Sequence, residues 1–127
     1  SGLTPFEALT GNMARVGSPT AGRDTGVMYH LAGRGGPTVL PSSGNVGAQY
    51  TPAAGWAQSI RYRAETLGEA AWQGALAAAL GGDASAAANG FWAALNIVTT
   101  LRLPYLFFIE DNRFGISVRS RLQYPGG

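Results

Sequence analysis

The spacing of apolar residues predicts an amphipathic helix in the middle of the chain. In the segment PAAGWAQSIRYRAETL, five apolar residues recur at steps of three and four: Ala53, Trp56, Ile60, Ala64 and Leu67. This is the spacing of one helix face. Pro52 suits the first turn, where an N–H has no partner inside the helix, and Gly68 suits the position after the last turn.

The apolar run that follows has two interpretations. Residues 69–83 read EAAWQGALAAALGGD. Alanine has the highest helix propensity, yet a short continuous apolar run that ends at Gly-Gly-Asp also suits a strand buried on both faces. Periodicity alone does not separate the two.

A helix and a strand are predicted after this run. The segment GFWAALNIVTTLRL places four apolar residues on one helical stripe: Phe91, Leu95, Val98 and Leu101. Ser85 or Asn89 can cap this helix, and Pro104 ends it. The segment YLFFI lies between Pro104 and a polar Glu-Asp-Asn, which predicts a buried strand. FGISV suggests a short second strand.

The first 55 residues lack this periodicity. They are rich in Gly, Pro, Ser and Thr, as in GSPTAGRDTG and AGRGGPTVLPSSGNVG, which is typical of loops and turns. The glycine spacing in the second segment is only a weak sign of a dinucleotide loop, because no clear strand precedes it. Loops of this length in a domain are usually functional or held by a partner.

Composition fits a globular domain and excludes several classes of function. Apolar residues make up 46% of the chain, which argues against disorder. All nine basic residues are Arg and the net charge is +2, too little for a nucleic-acid-binding face. The absence of cysteine excludes disulfides and zinc–thiolate sites; it fits a reducing compartment, so we expect a cytoplasmic location. The apolar runs are too short to span a bilayer, and we expect no membrane partner.

Two polar residues are placed to meet if residues 75–80 form a strand. The chain from there to Ile109 is then a β-helix-β unit, in which both strands end at the same edge of the sheet. Asp83 follows the first strand and Asn112 follows the second. Ligands bind at this edge, and the positive end of the intervening helix favours an anion there. Since carboxylate and amide oxygens suit Mg²⁺, which often binds phosphate as well, the pattern predicts a magnesium–diphosphate site.

The segment GDAS…NGFWAALNIVTTLRLPYLFFIEDNRFGIS resembles the thiamin diphosphate motif of the alpha subunit of 2-oxo acid dehydrogenases. These are the first, decarboxylating components of the pyruvate and branched-chain complexes. The matching stretches are AALN at 93–96, DNRFGIS at 111–117, GNVGAQYTPAAG at 44–55 and, more loosely, GVMYHLAGRGG at 26–36. The resemblance therefore covers a thiamin diphosphate- and magnesium-binding α/β domain at 26–127 and leaves 1–25 as an unassigned N-terminal segment.

The resemblance implies a fold, an activity and partners. The fold is α/β, a mostly parallel sheet with helices on both faces, present here as a partial domain with residues 75–80 as a strand. The activity is oxidative decarboxylation of a 2-oxo acid with acyl transfer to a lipoyl group, and the cofactors are thiamin diphosphate and Mg²⁺. The implied partners are a beta-type subunit or second domain that completes the site in an α2β2-like assembly, a lipoyl-bearing acyltransferase and a small 2-oxo acid.

The resemblance also implies roles for individual residues. The metal ligands would be Asp83, Asn112 and the backbone carbonyl of Phe114. The further cofactor contacts would be Gly82, Ala84 and Ser85 along the diphosphate, Val46 and Gly47 at the aminopyrimidine, and Ile116 beneath the bent cofactor. His30 corresponds loosely to a catalytic histidine near the mouth of the site, although a lone histidine is more often structural.

Two departures from the family pattern keep an alternative open. Ala84 stands where the family has Gly, and its methyl group either crowds the diphosphate or is harmless if the local φ is negative. The stretch AAAN replaces a polar segment. Because of these two departures, the alternative is that the chain is a degenerate, non-catalytic relative that serves as a structural or interface subunit. A transketolase-like thiamin enzyme is a third alternative, against which NRFGIS favours the dehydrogenase branch.

The remaining candidate residues have simpler interpretations. Arg113, Arg119 and Arg121 lie close together near the end of the chain; they can reach a phosphate or an acidic partner loop, but a solvated face is the favoured interpretation. The three tryptophans are expected in the core or at a subunit contact. The chain starts without Met or a recognisable signal peptide and ends at YPGG, so we expect a piece of a longer protein.

Overall fold

The computed structural model describes residues 2–23, 29–32, 34–40 and 43–125. It divides into two units, Ser1–Gly44 and Asn45–Gly127. The boundary predicted between residues 25 and 26 lies outside the described residues, and that division stays a prediction.

The first unit is built around one short helix, α1, at Pro5–Asn12. A capping box starts it: the Thr4 hydroxyl accepts the Glu7 backbone N–H at 3.2 Å, and the Glu7 carboxylate accepts the Thr4 backbone N–H at 2.9 Å. Glu7 also forms an ion pair with Arg34 at 2.8 Å. Leu31 and Val39 form an isolated antiparallel bridge. Helix α1 was not predicted, because the Gly- and Pro-rich composition of this stretch indicated loops; outside α1, the described part of this unit has little regular structure.

The second unit begins with the predicted amphipathic helix. Helix α2 spans Tyr50–Arg61 and continues as one π-helical turn at Tyr62–Thr66. Its buried side consists of Tyr50, Ala54, Ala57, Ile60 and Ala64.

Two residues of the predicted apolar face, Trp56 and Leu67, are exposed, Leu67 at 52% of its accessible surface. Trp56 is exposed at 42%, because the small residues Ala54 and Ala57 are the ones buried in the core. Small side chains let the helix approach the strands closely, whereas an indole at that position would hold it away.

The β-helix-β unit is confirmed. Strand β1 spans Ala77–Gly82, helix α3 spans Asn89–Leu101 and strand β2 spans Tyr105–Glu110. The two strands are parallel, in register from Ala77 opposite Tyr105 to Gly82 opposite Glu110. The ambiguous alanine-rich run therefore contains a strand, which lies at Ala77–Gly82 and not at the expected residues 75–80. The α/β class with a parallel sheet is confirmed.

The core lies on one face of this sheet. Ala77, Ala79 and Phe107 pack with both α2 and α3. On the opposite face Leu80 and Phe108 are exposed, at 65% and 50%. In the part of the chain that the structure describes, helices cover one face, so β2 is half buried and not fully buried as predicted. Strand geometry is the reason, since successive side chains point to opposite faces.

The ends of α3 differ from the predicted ones. Its N-cap is Ala88, which makes no side-chain capping bond, and Asn89 is the first helical residue. Ser85 lies in a 3₁₀ turn at Asp83–Ala87, and its hydroxyl bonds elsewhere. The helix ends at Arg102, whose φ of +51° is left-handed. The left-handed backbone of Arg102 therefore ends the helix before Pro104.

A small hairpin follows β2. Strands β3, at Phe114–Gly115, and β4, at Val118–Arg119, pair antiparallel and lead into a 3₁₀ turn at Ser120–Leu122. The short strand expected in FGISV is therefore the two sides of this hairpin. Among the described helices, none is long and apolar enough to cross a membrane.

Candidate functional site

The two parallel strands end side by side. Gly82, the last residue of β1, is paired with Glu110, the last residue of β2. The chain leaves β1 into the 3₁₀ turn at Asp83–Ala87 and then into α3, whose N-terminus lies at the same edge. The loop with Asn112 leaves β2 at that edge too. The carboxyl edge on which the predicted site depends is therefore present.

Asp83 is a buried carboxylate with a free oxygen. The residue is 2% exposed, and its Oδ2 is the one fully buried side-chain polar atom among the described residues that lacks a hydrogen-bond partner. Burying a carboxylate oxygen without a partner costs free energy. Such an atom at the edge where ligands bind fits a cation ligand.

The loop after β2 is held by its own side chains. Asp111 Oδ1 accepts the Arg113 backbone N–H at 2.7 Å, and Asn112 Oδ1 accepts the Phe114 backbone N–H at 2.8 Å. Arg113 has a left-handed φ of +67°. Asn112 and Phe114 are both exposed. The Asn112 oxygen keeps a second lone pair, so it remains able to bind a metal.

Ala84 joins this loop to the turn after β1. A Cβ placed on Gly115 would lie only 2.5 Å from the Ala84 Cβ, so the methyl group of Ala84 faces Gly115. Ala84 is not among the residues with left-handed φ, which answers the question that the departure from Gly raised. Its backbone is unstrained, and Gly115 is what makes room for its methyl group.

Ser85 is a buried residue of this turn, and its hydroxyl makes two contacts inside the protein. It donates to the Gly82 carbonyl and lies 2.5 Å from the Tyr50 hydroxyl. With its bonds already made, this hydroxyl stabilises the turn that carries Asp83. The Tyr50 carbonyl in turn accepts the Tyr105 hydroxyl at 3.1 Å. Burial raises the pKa of Tyr105, so this hydroxyl stays a neutral donor.

Sequence reasoning missed two residues at the start of α2 that hold this edge, its first residue Tyr50 and its N-cap Gln49. Besides Tyr50, Gln49 donates its amide to the Leu80 carbonyl at 2.9 Å. Gly81 leaves room for the side chains of Tyr50 and Gln49, since a Cβ there would overlap the Tyr50 hydroxyl and lie 3.0 Å from the Gln49 amide nitrogen. Both residues lie in the GAQY segment of the family-like stretch, which was the available signal.

The turn with Val46 and Gly47 lies against the start of α3. Gly47 is buried with φ of +84°, and a Cβ on it would overlap the methyl group of Ala88. A Cβ on Gly90 would in turn lie 2.8 Å from the Gly47 carbonyl. Val46 is exposed. The structure therefore places Gly47, with Val46 beside it in the chain, close to the Asp83–Ala87 turn.

The last two candidates have different surroundings. Ile116, in the turn between β3 and β4, is fully exposed and has a left-handed φ of +59°. A β-branched residue rarely adopts this conformation. His30 is exposed and belongs to the unit Ser1–Gly44, whereas the other candidates belong to the unit Asn45–Gly127. Trp92 is also exposed, whereas Trp72 packs against the core.

The predicted ligands suit a single hard cation, and they do not form a cluster of several charged side chains. Within the described residues, no group of three or more His, Asp or Glu side chains could hold a metal ion. The predicted ligands are one carboxylate, one amide oxygen and one backbone carbonyl. Magnesium accepts such a set when ligand phosphates and water complete its octahedral shell.

Comparison with known proteins identifies the family of this chain. A family model described as the dehydrogenase E1 component matches residues 3–125. The chain is 32% identical over 85 residues to the pyruvate dehydrogenase E1 component subunit alpha of Mycoplasma genitalium. This region covers 67% of the chain but only 22% of that protein, so the chain spans less than a quarter of the relative's length. The chain belongs to the dehydrogenase E1 component family, as an alpha-type component.

Proposed function

We propose that this chain holds magnesium and the diphosphate of thiamin diphosphate in an enzyme that decarboxylates a 2-oxo acid oxidatively. The observation that carries this proposal is the buried Asp83 oxygen without a partner, at the edge where β1 and β2 end. Membership of the dehydrogenase E1 family supports it. The relative's name makes pyruvate the first substrate to test, with branched-chain 2-oxo acids as the comparison.

The metal would be bound by three groups from two segments. Asp83 supplies a carboxylate oxygen from the turn after β1, while Asn112 and the Phe114 carbonyl supply neutral oxygens from the loop after β2. The contact between Ala84 and Gly115 supports this grouping because it joins the two segments. One buried carboxylate neutralises one of the two positive charges of Mg²⁺ and leaves the other to be neutralised by phosphate.

The remaining residues would shape the space around the cofactor. Gly82 and Ala84 line the diphosphate from the turn, and Ser85 stabilises that turn through its two hydroxyl contacts. Val46 and Gly47 contact the aminopyrimidine, and Ile116 presents a fully exposed apolar side chain beneath the bent cofactor. His30 is a candidate for the mouth of the site.

The catalytic chemistry would be shared with other chains. When bound, thiamin diphosphate supplies the electron sink for decarboxylation. The residues described here bind and orient it, and a beta-type subunit or second domain would supply the carboxylate that activates the aminopyrimidine. We propose an α2β2-like assembly in the cytoplasm, with a lipoyl-bearing acyltransferase as the acceptor of the acyl group.

The alternative of a degenerate, non-catalytic relative is less well supported. The replacement of Gly by Ala84 motivated it, but Ala84 has an unstrained backbone and its methyl group faces Gly115. The AAAN stretch remains a departure, and Ala86 of this stretch is buried, so it contributes to packing. Measured magnesium binding would distinguish the two functions, because only the cofactor-binding function requires it.

Variants of Asp83 test the proposal directly. We expect Asp83→Ala to abolish magnesium-dependent binding of thiamin diphosphate while the circular dichroism spectrum is retained. Asp83→Asn keeps the shape but loses the charge, and it should weaken binding strongly as well. The matched control is Glu110→Gln, an exposed carboxylate at the end of the paired strand, which should bind normally.

Bound cofactor is measured after its oxidation to a fluorescent product, in the chain assembled with its beta-type partner. Unchanged affinity in both Asp83 variants would refute the metal assignment. No cofactor in the unmodified assembly, at saturating magnesium, would favour the structural, non-catalytic function.

A further inference from the structure

Three arginines line one pocket on the hairpin after β2. The pocket has a volume of about 550 Å³ and is lined by Asp111, Arg113, Phe114, Arg119, Ser120 and Arg121. These arginines are one third of the basic residues of the chain. All three are exposed, as the solvated face favoured from the sequence requires, and they line a common concave surface.

The pocket carries an excess of positive charge. Asp111 is the only acidic residue in its lining, and its Oδ1 already accepts the Arg113 backbone N–H. Among the described residues, the ion pairs are Arg34 with Glu7 and Arg63 with Glu69. None of the three pocket arginines has an ion-pair partner there, so their guanidinium groups are available for an external anion.

Hydrogen bonds fix the backbone from which the arginines extend. The Arg113 carbonyl accepts the Ser120 backbone N–H at 2.9 Å, and Gln123 donates to the Val118 carbonyl at 2.9 Å. Phe114 is paired with Arg119 across the hairpin, and the Arg119 guanidinium lies 5.6 Å from the centre of the Phe114 ring. This contact holds the guanidinium plane without using its N–H groups, which remain free to donate.

We propose that this pocket binds a phosphate dianion, at a site separate from the diphosphate of the proposed cofactor. Three guanidinium groups against one carboxylate leave a net charge of about +2, which matches a phosphate group at neutral pH better than a single carboxylate does. Planar guanidinium groups bind phosphate oxygens in pairs. No residue of the Asp83–Ala87 turn lines the pocket. Phe114 lines the pocket and its carbonyl is also a proposed metal ligand, so the two anion sites adjoin each other and a competition experiment separates them.

The test uses the full chain in magnesium-free buffer at pH 7.5 and constant ionic strength, with inorganic phosphate and phenyl phosphate as probes. We expect saturable changes of backbone amide NMR signals confined to residues 111–121. Arg119→Gln and Arg121→Gln should each weaken binding by about tenfold or more. The matched control is Arg15→Gln, which removes the same charge from the other unit and should bind as the unmodified chain does.

Several results would overturn the proposal. Equal weakening in Arg15→Gln would show a general charge effect, and changes without saturation would show no site. Tighter binding of phenyl phosphate would identify an organic phosphate that also contacts Phe114, and equal binding would identify free phosphate; both support the site.

A separate arm distinguishes this site from the proposed cofactor site. Asp83→Asn should keep phosphate binding while it loses magnesium-dependent binding of thiamin diphosphate. If magnesium and thiamin diphosphate instead displace phosphate competitively from residues 111–121, the pocket is part of the cofactor site and the separate site is wrong. If only the phosphate titration fails, the assignment of Asp83 as a metal ligand is unaffected.

Discussion

The hydroxyl groups of Tyr50 and Ser85 lie 2.5 Å apart inside the protein. This contact connects the first residue of α2 to the turn that carries Asp83. The Ser85 hydroxyl also donates to the Gly82 carbonyl, so the Tyr50 hydroxyl acts as the donor to Ser85. A buried residue thirty-five positions earlier in the chain thereby stabilises the turn at the end of β1.

Tyr50→Phe should destabilise the protein by about 1 kcal/mol, the usual net value of one buried hydrogen bond. The loss is moderate because the Ser85 hydroxyl keeps its bond to the Gly82 carbonyl. Chemical denaturation measures the free energy of unfolding. The control is Tyr62→Phe, which removes an exposed hydroxyl and should change little. Equal stabilities of the two variants would contradict the structural role of this contact.

Gly115→Ala should destabilise the protein by about 1–3 kcal/mol, the usual cost of overpacking. The added methyl group would lie 2.5 Å from the Ala84 Cβ and 2.6 Å from the Gln123 amide nitrogen. The side chain of Gln123 can move away, but the Ala84 methyl group cannot. The double variant with Ala84→Gly should therefore lose less stability than the two single variants together. Additive losses would show that Ala84 and Gly115 do not contact each other.

Ile116→Gly should stabilise the cofactor-free protein by roughly 0.5–1 kcal/mol. A left-handed conformation costs an L-residue about 1–2 kcal/mol, and the backbone entropy of glycine offsets about half of that gain. The Ile116 side chain is fully exposed, so its removal loses no packing. Ser117→Gly, at the next residue, is the control and should be destabilising because Ser117 has no left-handed φ to relieve.

The same Ile116 variant also tests the proposed function. If the side chain supports the bent cofactor, Ile116→Gly should bind thiamin diphosphate more weakly even though it unfolds at higher denaturant concentration. Gains in both stability and affinity would remove Ile116 from the proposed site. Backbone strain at a functional position would explain why the unmodified protein is less stable than this variant and yet binds the cofactor more tightly.

Glu7 should titrate well below its usual range. The hydrogen bond from the Thr4 backbone N–H, aided by Arg34 and the Thr4 hydroxyl, lowers the pKa of Glu7 from 4.5 to about 2. A depressed pKa in the folded state means that the ionised carboxylate stabilises α1 above pH 4.5, and that this contribution is lost as the pH falls towards 2. NMR titration of the Glu7 carboxyl group, assigned with Glu7→Gln, measures it. A midpoint near 4.5 would show that the capping box is not formed in solution.

Local patterns predicted most of the second unit. The spacing of apolar residues located α2 and α3, and the short aromatic run located β2. The errors have a common cause, since periodicity identifies a helix but does not identify which neighbours cover it. Trp56 was expected in the core or at a subunit contact, yet it is exposed and Ala54 and Ala57 are buried instead. The choice of strand over helix for the alanine-rich run came from the family resemblance, because alanine propensity favours the helix.

The sequence by itself determined the chemistry that this chain can offer. It placed Asp83 and Asn112 after successive strands, supplied glycine at positions 47, 81 and 115, and excluded cysteine chemistry. Whether those groups could act together depended on the tertiary structure, because residues about thirty positions apart meet only when β1 and β2 pair.

The tertiary structure also decided three matters that no local pattern contains. It left one Asp83 oxygen buried without a partner, turned the Ala84 methyl group towards Gly115, and gathered three arginines around one pocket. Each depends on the distance and direction between side chains from separate segments. Sequence spacing fixes such distances within one helix or strand, whereas packing fixes them between elements.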